Sequence, residues 1–230
     1  MKRVLGVSVI AAVLFALVWA LLNKDRYSWR QKLTITVETP AGEVSASSVS
    51  AVIWRKHWIQ TDGMGWDCDL TGEAVVVEVT PGRYLFALLK GAGTTEYMGS
   101  VAAASIAGRE GRVIDGALFG EVQGKRGRAA GVISVPEYQY PLLVTFGDIT
   151  DPATVTLVDP ANLAASFGPG VRLKAVTLEV TDQAVTGGMV EGVLGWLGPY
   201  PEPALGPATG RADNIPFYRL VHMGDFIRRP

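Results

Sequence analysis

The sequence predicts a strand-dominated α+β protein: a single N-terminal transmembrane helix, then a mostly antiparallel β domain with a few short helices and a candidate β-sandwich-like part. Three observations predict it. Val4 to Leu22 is a run of 19 residues without a charge. Behind it, aliphatic residues fall into short runs punctuated by 27 glycines and 13 prolines, the pattern of short elements joined by tight turns and not of a long helical bundle. Several of those runs alternate apolar and polar residues, the period of a half-buried strand.

As a helix, the opening run spans roughly 28 Å, close to the ~30 Å hydrocarbon core of a bilayer. A cleaved signal peptide carries an apolar core of about 7–15 residues and then a small-residue cleavage site. The nearest match, Val18-Trp19-Ala20, contains a bulky tryptophan and is followed by two more leucines. No cysteine stands near it that could carry a lipid. The expectation is a retained anchor that meets the lipid bilayer through residues 4–22, with Trp19, Tyr27 and Trp29 as an interfacial aromatic belt. Sidedness is contested. Lys24, Arg26, Arg30 and Lys32 outnumber Lys2 and Arg3, which favours a cytoplasmic domain. A short basic N-terminus before an apolar segment is also how an export signal begins. We read a single-pass protein of the bacterial inner membrane with its domain in the periplasm.

Residues 1–32 thus form anchor and juxtamembrane segment, and 33–230 the β-rich domain, with a subdivision near 91–139 as an option. Charge is segregated. Residues 1–32 hold six Lys or Arg against one Asp, and residues 33–230 hold fifteen against twenty-one Asp or Glu, a net of −6. An acidic domain offers no field for a phosphate backbone, so nucleic acid is excluded as the expected partner. Cys68 is the single cysteine, so no intramolecular disulfide forms.

Element by element, KLTITVET alternates as a half-buried strand and Pro40–Gly42 is a turn. A second strand returns from Glu43 to about Trp58, its apolar parity shifting near Ser47-Ser48 as at a bulge. EAVVVEV and RYLFALLK are strands joined by TPGR, apolar at nearly every position and therefore central or covered on both faces. A helix is expected from about Thr95 to Ala107 with Gly108 as its stop. Residues 108–135 are glycine-rich, and no element is placed there. PLLVTF and ATVTLVD are strands. DPANLAASFGPG reads as a compact helix with Asp159 as cap, Pro160 at its first position and Gly168 as its stop. VRLKAVTLEVT is a long strand whose parity changes between Ala175 and Val176, again implying a bulge. GGMVEGVLGWLG sets Met189, Val190, Val193, Leu194 and Leu197 on one helical face. FYRLVHM is a candidate last strand.

The stretches WRQKLTITVETPAGEV, GRYLFALL, YPLLVTFGDITDPATVTLVDP and FGPGVRLKAVTLEVTD together resemble a family of membrane-anchored, mostly proteobacterial proteins. The similar stretches lie within 29–89 and 140–182, about half of the chain, outside 91–139 and the tail. The resemblance implies an anchor and a β-rich domain. It carries no activity, cofactor or catalytic residue. GEAVVVEVTPGRYLFAL is also similar to the turn-linked strands of transthyretin-like β-sandwich modules.

Chemistry is thin. His57, Asp62, Asp67, Cys68 and Asp69 are all metal-ligand types, but their spacing matches no C-x-x-C, H-x-x-x-H or Asp-loop pattern, and a hairpin tip explains them as well. Asp148, Asp151 and Asp159 form a second acidic group in which paired-carboxylate catalysis competes with turn and cap roles. A nucleophile would need His57 or His222 as its base, and G-x-S-x-G is absent from the sequence. GAGTTEYMG lacks the Lys-Ser/Thr of a phosphate loop, and GKRGR reads as a solvated basic loop. No catalytic, metal or cofactor-binding residue is assigned and no cofactor is implied.

Trp54, Trp58 and Trp66 fall within 13 residues. They are either core or an aromatic surface for a protein partner. Two functions follow from all this. One is a membrane-tethered interaction or structural module of the envelope, such as an accessory subunit of a membrane complex. The other is a membrane-anchored hydrolase using an acidic cleft.

Overall fold

A computed structural model describes residues 25–56, 65–91, 97–107, 115–125, 131–197, 205 and 215–229. The expected anchor over 4–22 lies outside them; among the described residues no helix is long and apolar enough to cross a membrane.

Strand β1 (Arg26–Thr39) starts well before Leu33. Residues 26–32, expected from sequence to follow an anchor, are therefore its first half. Tyr27, Trp29, Gln31, Leu33, Ile35 and Val37 share one parity, and every one from Trp29 on is buried. The sequence reading stopped at Leu33 because Gln31 interrupts the apolar alternation. Gln31 is buried with its amide satisfied: its Oε1 accepts from Trp29 Nε1 at 2.8 Å and its Nε2 donates to the Met98 carbonyl at 2.5 Å. Trp29 is correspondingly a core residue and not part of an interfacial belt.

The chain turns at Pro40-Ala41 into β2 (Gly42–Lys56), which pairs with β1 without a register break from Gly42 to Arg55. The expected bulge at Ser47-Ser48 is absent. Val44, Ala46, Ser48, Ser50, Val52 and Trp54 keep one parity, with serines taking inner positions that apolar residues would normally mark. Val49 is buried on the opposite face because Thr186 straps it: Val49 N–H donates to Thr186 Oγ1 at 2.9 Å and Thr186 N–H donates to the Val49 carbonyl at 3.0 Å.

Strand β3 (Trp66–Glu73) pairs antiparallel with the far half of β2, then passes through Ala74 into β4 (Val75–Thr80) of a second sheet. A six-stranded sheet runs β10-β3-β2-β1-β9-β6 and a four-stranded sheet runs β4-β5-β7-β8, where β5 is Arg83–Gly91, β6 Ile133–Ser134, β7 Pro141–Phe146, β8 Val155–Leu157, β9 Arg172–Thr181 and β10 Ile227–Arg228. All pairings are antiparallel. The predicted bulge in β9 is present: Thr36 pairs with Ala175 and Val37 with Leu173, leaving Lys174 as the extra residue.

The sheets share one core. Leu33, Ile35 and Val52 of the first meet Val75, Val77, Leu85 and Leu143 of the second. Helices α1 (Tyr97–Ala107) and α2 (Gly116–Gly124) close that core with Met98, Val101, Leu118 and Phe119, so the described helices near 91–139 pack into the same core as the strands. The other face of the four-stranded sheet, with Val76, Phe86, Leu88, Val144 and Phe146, is covered by Val190, Leu194, Leu205, Val221 and Phe226 of the C-terminal segment. Double coverage is the reason EAVVVEV and RYLFALLK are apolar at nearly every position.

Three local expectations need correction. Asp159 caps only a turn, its Oδ1 accepting from Ala161 N–H at 2.9 Å, and helix α3 (Ala164–Phe167) starts after it, ending at Gly168 with φ 103° as expected. The GGMVEGVLGWLG helix is the short α4 (Met189–Val193). FYRLVHM forms a 3-10 turn over Phe217–Arg219 and leads into helix α5 (Met223–Phe226), because Asp225 Oδ2 accepts from His222 N–H at 2.9 Å and starts a helical turn.

Candidate functional site

The first candidate is the aromatic end of the core. Trp54 is buried, its indole N–H donates to the Gly99 carbonyl at 3.0 Å, and its ring stacks on Phe119 with centroids 4.6 Å apart. Trp66 is partly buried and meets Phe119 edge-on at 5.2 Å. Tyr27 and Trp29 pack on the same Phe119. Of the two readings, Trp54 takes the core one; Trp66 forms the margin, with Lys56 Nζ 6.0 Å from its ring centroid. Trp58 lies outside the described residues.

Two glycine-containing helices allow this cluster to close. A Cβ at Gly116 would stand 3.0 Å from Trp66 and from the Tyr27 hydroxyl, and one at Gly99 would run into Cys68 Sγ. Sequence reading placed nothing in 108–135 because glycines dilute the helical signal. The usable signal was Asp115 as N-cap, whose Oδ1 accepts from Ala117 and Leu118 N–H at 3.1 Å, followed by Leu118, Phe119 and Val122 on one face.

The metal-type cluster does not assemble from its described members. Asp67 and Asp69 stand on the outer face of β3 and Cys68 on the inner face, as strand alternation requires. Arg55 pairs with Asp69. His57 and Asp62 lie outside the described residues, and among those described no three His, Cys, Asp or Glu side chains are grouped to hold a metal.

The second acidic group is occupied with its own turns. Asp148 Oδ1 accepts from Thr150 N–H at 2.9 Å and from the Thr150 hydroxyl at 2.7 Å, and these bonds hold its carboxyl below the usual aspartate value. Asp151 Oδ1 accepts from Ala153 N–H at 2.9 Å. His222 is half exposed, with Nδ1 3.7 Å from Asp225 Oδ2, and Lys90 Nζ lies 3.8 Å from the same oxygen while donating to the Leu220 carbonyl at 3.0 Å. This trio ties β5 to the C-terminal segment.

The residue that sequence reading missed is Glu73, at the corner where β3 becomes β4. It is buried, and its carboxylate accepts from Met189 N–H at 3.0 Å and Val190 N–H at 3.5 Å, holding the start of α4. Ser48 Oγ donates to its carbonyl at 2.7 Å, and Ala74 N–H donates to the Phe226 carbonyl at 2.7 Å. Beside it lies a cavity of about 260 Å³ lined by Thr71, Gly72, Glu73, Thr186, Gly188 and Arg228, among others. Arg229 and Glu191 form an ion pair at its rim. Glu73 is engaged by two N–H groups, Arg229 is paired with Glu191, and Arg228 Nε donates to the Gly224 carbonyl at 3.3 Å, so the lining groups are tied to the corner itself. The corner's visible chemistry is to join three layers.

No family model matches the chain, and no curated protein or solved structure matches it either.

Proposed function

We propose that the chain is a membrane-tethered interaction or structural module of the bacterial envelope, with its domain in the periplasm, serving as an accessory subunit of a larger membrane complex. The observation that carries this reading is where the candidate reactive groups are spent. The carboxylates of Asp148, Asp151 and Asp159 bind their own turns, and Asp69 pairs with Arg55. The hydrolase reading needed such carboxylates to converge in one cleft. The uncharged run over 4–22 supports the tether, and β1 begins only a few residues after it, so the sheet would stand directly on the bilayer.

The test is made on the full chain. Carbonate-washed membranes should retain it with its N-terminal peptide intact; a soluble protein starting near Leu21 would overturn the tether. For sidedness, Cys68 is a poor reporter, being partly buried against Gly99. An Ala161→Cys change in a Cys68→Ser background places a thiol on an exposed turn. A membrane-impermeant maleimide should label it in intact spheroplasts. Labelling only after lysis would place the domain in the cytoplasm.

A further inference from the structure

Strand β2 is paired on one side along its whole length by β1, but on the other side only in part. β3 covers Ala51–Lys56, and Thr186 then takes both the N–H and the carbonyl of Val49. Those two bonds establish which residues aim their backbone away from β1. In an antiparallel ladder the direction alternates, so Glu43, Ser45 and Ser47 share the orientation of Val49. None of the three has a strand partner among the described residues, and Glu43 and Ser45 are exposed.

The end strands of the two sheets and the free part of β9 are guarded. β10 and β6 have two residues each and β8 has three. Most of β4 is buried. The part of β9 beyond β6 carries a bulge at Lys174 together with Arg172. Short strands, bulges and edge cations are the ordinary devices against strand addition. From Gly42 to Ser48, β2 has none of them: its register is unbroken, it holds no lysine, arginine or proline, and its side chains are mostly serine and alanine.

We propose that this free stretch of β2 takes up an extended strand of a partner polypeptide, running antiparallel to β2 in line with β3. Backbone N–H and carbonyl groups of Glu43, Ser45 and Ser47 supply the ladder. The incoming strand presents apolar side chains toward half-buried Val44 and Ala46 and polar ones toward Ser45. A second copy of the chain is disfavoured by the tether, on which this choice of occupant rests. Copies anchored in one bilayer point their β1–β2 tips the same way. Antiparallel β2–β2 pairing centred on Ser45 would set the two Arg26 ends, each opposite Arg55, about twenty residues of strand apart, roughly 65 Å.

The experiment compares amide hydrogen exchange of the full chain in native membranes and purified in phosphatidylcholine nanodiscs. The amides of Ser45 and Ser47 should exchange about tenfold or more slowly in native membranes, while those of Val44 and Ala46 are protected in both. A photocrosslinker at Ser45 should give an adduct in native membranes that Ser47→Pro abolishes. That proline deletes an N–H pointing away from β1 and leaves the β1–β2 ladder intact. Should its melting temperature fall, Ser45→Lys, with the crosslinker moved to Ser47, guards the same edge with charge. Equal exchange in the two preparations, an adduct of twice the chain's mass, or an adduct that survives both edge variants would overturn the proposal. Carbonate retention measured on the same samples reports on the tether independently.

Discussion

The two sheets are built from the same antiparallel ladder but are buried differently. The four-stranded sheet is covered on both faces: Leu85, Ala87 and Leu89 face the six-stranded sheet while Phe86 and Leu88 face the C-terminal segment. The six-stranded sheet buries one face along its length and leaves the other mostly polar, with Val49 and Thr181 among the buried exceptions. Thr34, Thr36, Ser45, Ser47 and Thr177 line its other side, paired across strands as Thr34 with Ser47 and Thr177 and Thr36 with Ser45. Local backbone geometry is therefore a poor guide to what a substitution costs here. The number of covered faces decides it.

That contrast is most sharply tested at Phe86, which is fully buried and packs edge-on against Phe146 at 5.4 Å and Phe226 at 5.8 Å. Phe86→Ala should destabilise by about 3–5 kcal/mol in urea unfolding; a loss below 1 kcal/mol would mean the third layer is not packed on this sheet. At the corner joining the layers, Glu73→Ala leaves the Met189 and Val190 N–H groups without their acceptor. A cost of about 1–3 kcal/mol is expected, with Glu73→Gln milder, read by thermal melting.

The α2 glycines give a paired test of opposite sign. Gly116→Ala forces a methyl against Trp66 and Tyr27 and should destabilise by about 1–3 kcal/mol. Gly124→Ala meets nothing within 4 Å and should stabilise by about 0.5–1 kcal/mol through helix propensity. Equal effects at both sites would show that α2 does not press on the aromatic cluster. The smallest effect belongs to the polar outer face of the six-stranded sheet. Thr34→Val should stay within about 0.5 kcal/mol of wild type, and a larger shift would reveal something seated on that face.

The same contrast explains what was legible from sequence. Strands whose inner face is purely apolar, such as Leu33-Ile35-Val37, announced themselves, as did the doubly covered pair joined by Pro81-Gly82 and the bulge in β9. Reading failed where a polar residue takes an inner position and finds its partner far away in the chain. Gln31 bonds to Met98, and Ser48 bonds to Glu73. Neither link leaves a local trace, so β1 was read short and β2 was given a bulge it lacks. Helix α2 was hidden because Gly116 and Gly120 answer to the rings of Tyr27 and Trp66 and not to helix propensity. The aromatic centre was half visible: three tryptophans stood out, but Phe119, the ring that gathers Trp54, Trp66, Trp29 and Tyr27, gave no signal of its role.

The place of β1 also has a mechanical meaning. It lies inside its sheet, with β2 along its full length on one side and β9 from Arg30 to Glu38 on the other. A pull applied at Arg26 along the strand loads both ladders at once in shear, so their hydrogen bonds must yield together instead of opening one by one. Under the proposed tether, tension would enter at a strand held on both sides.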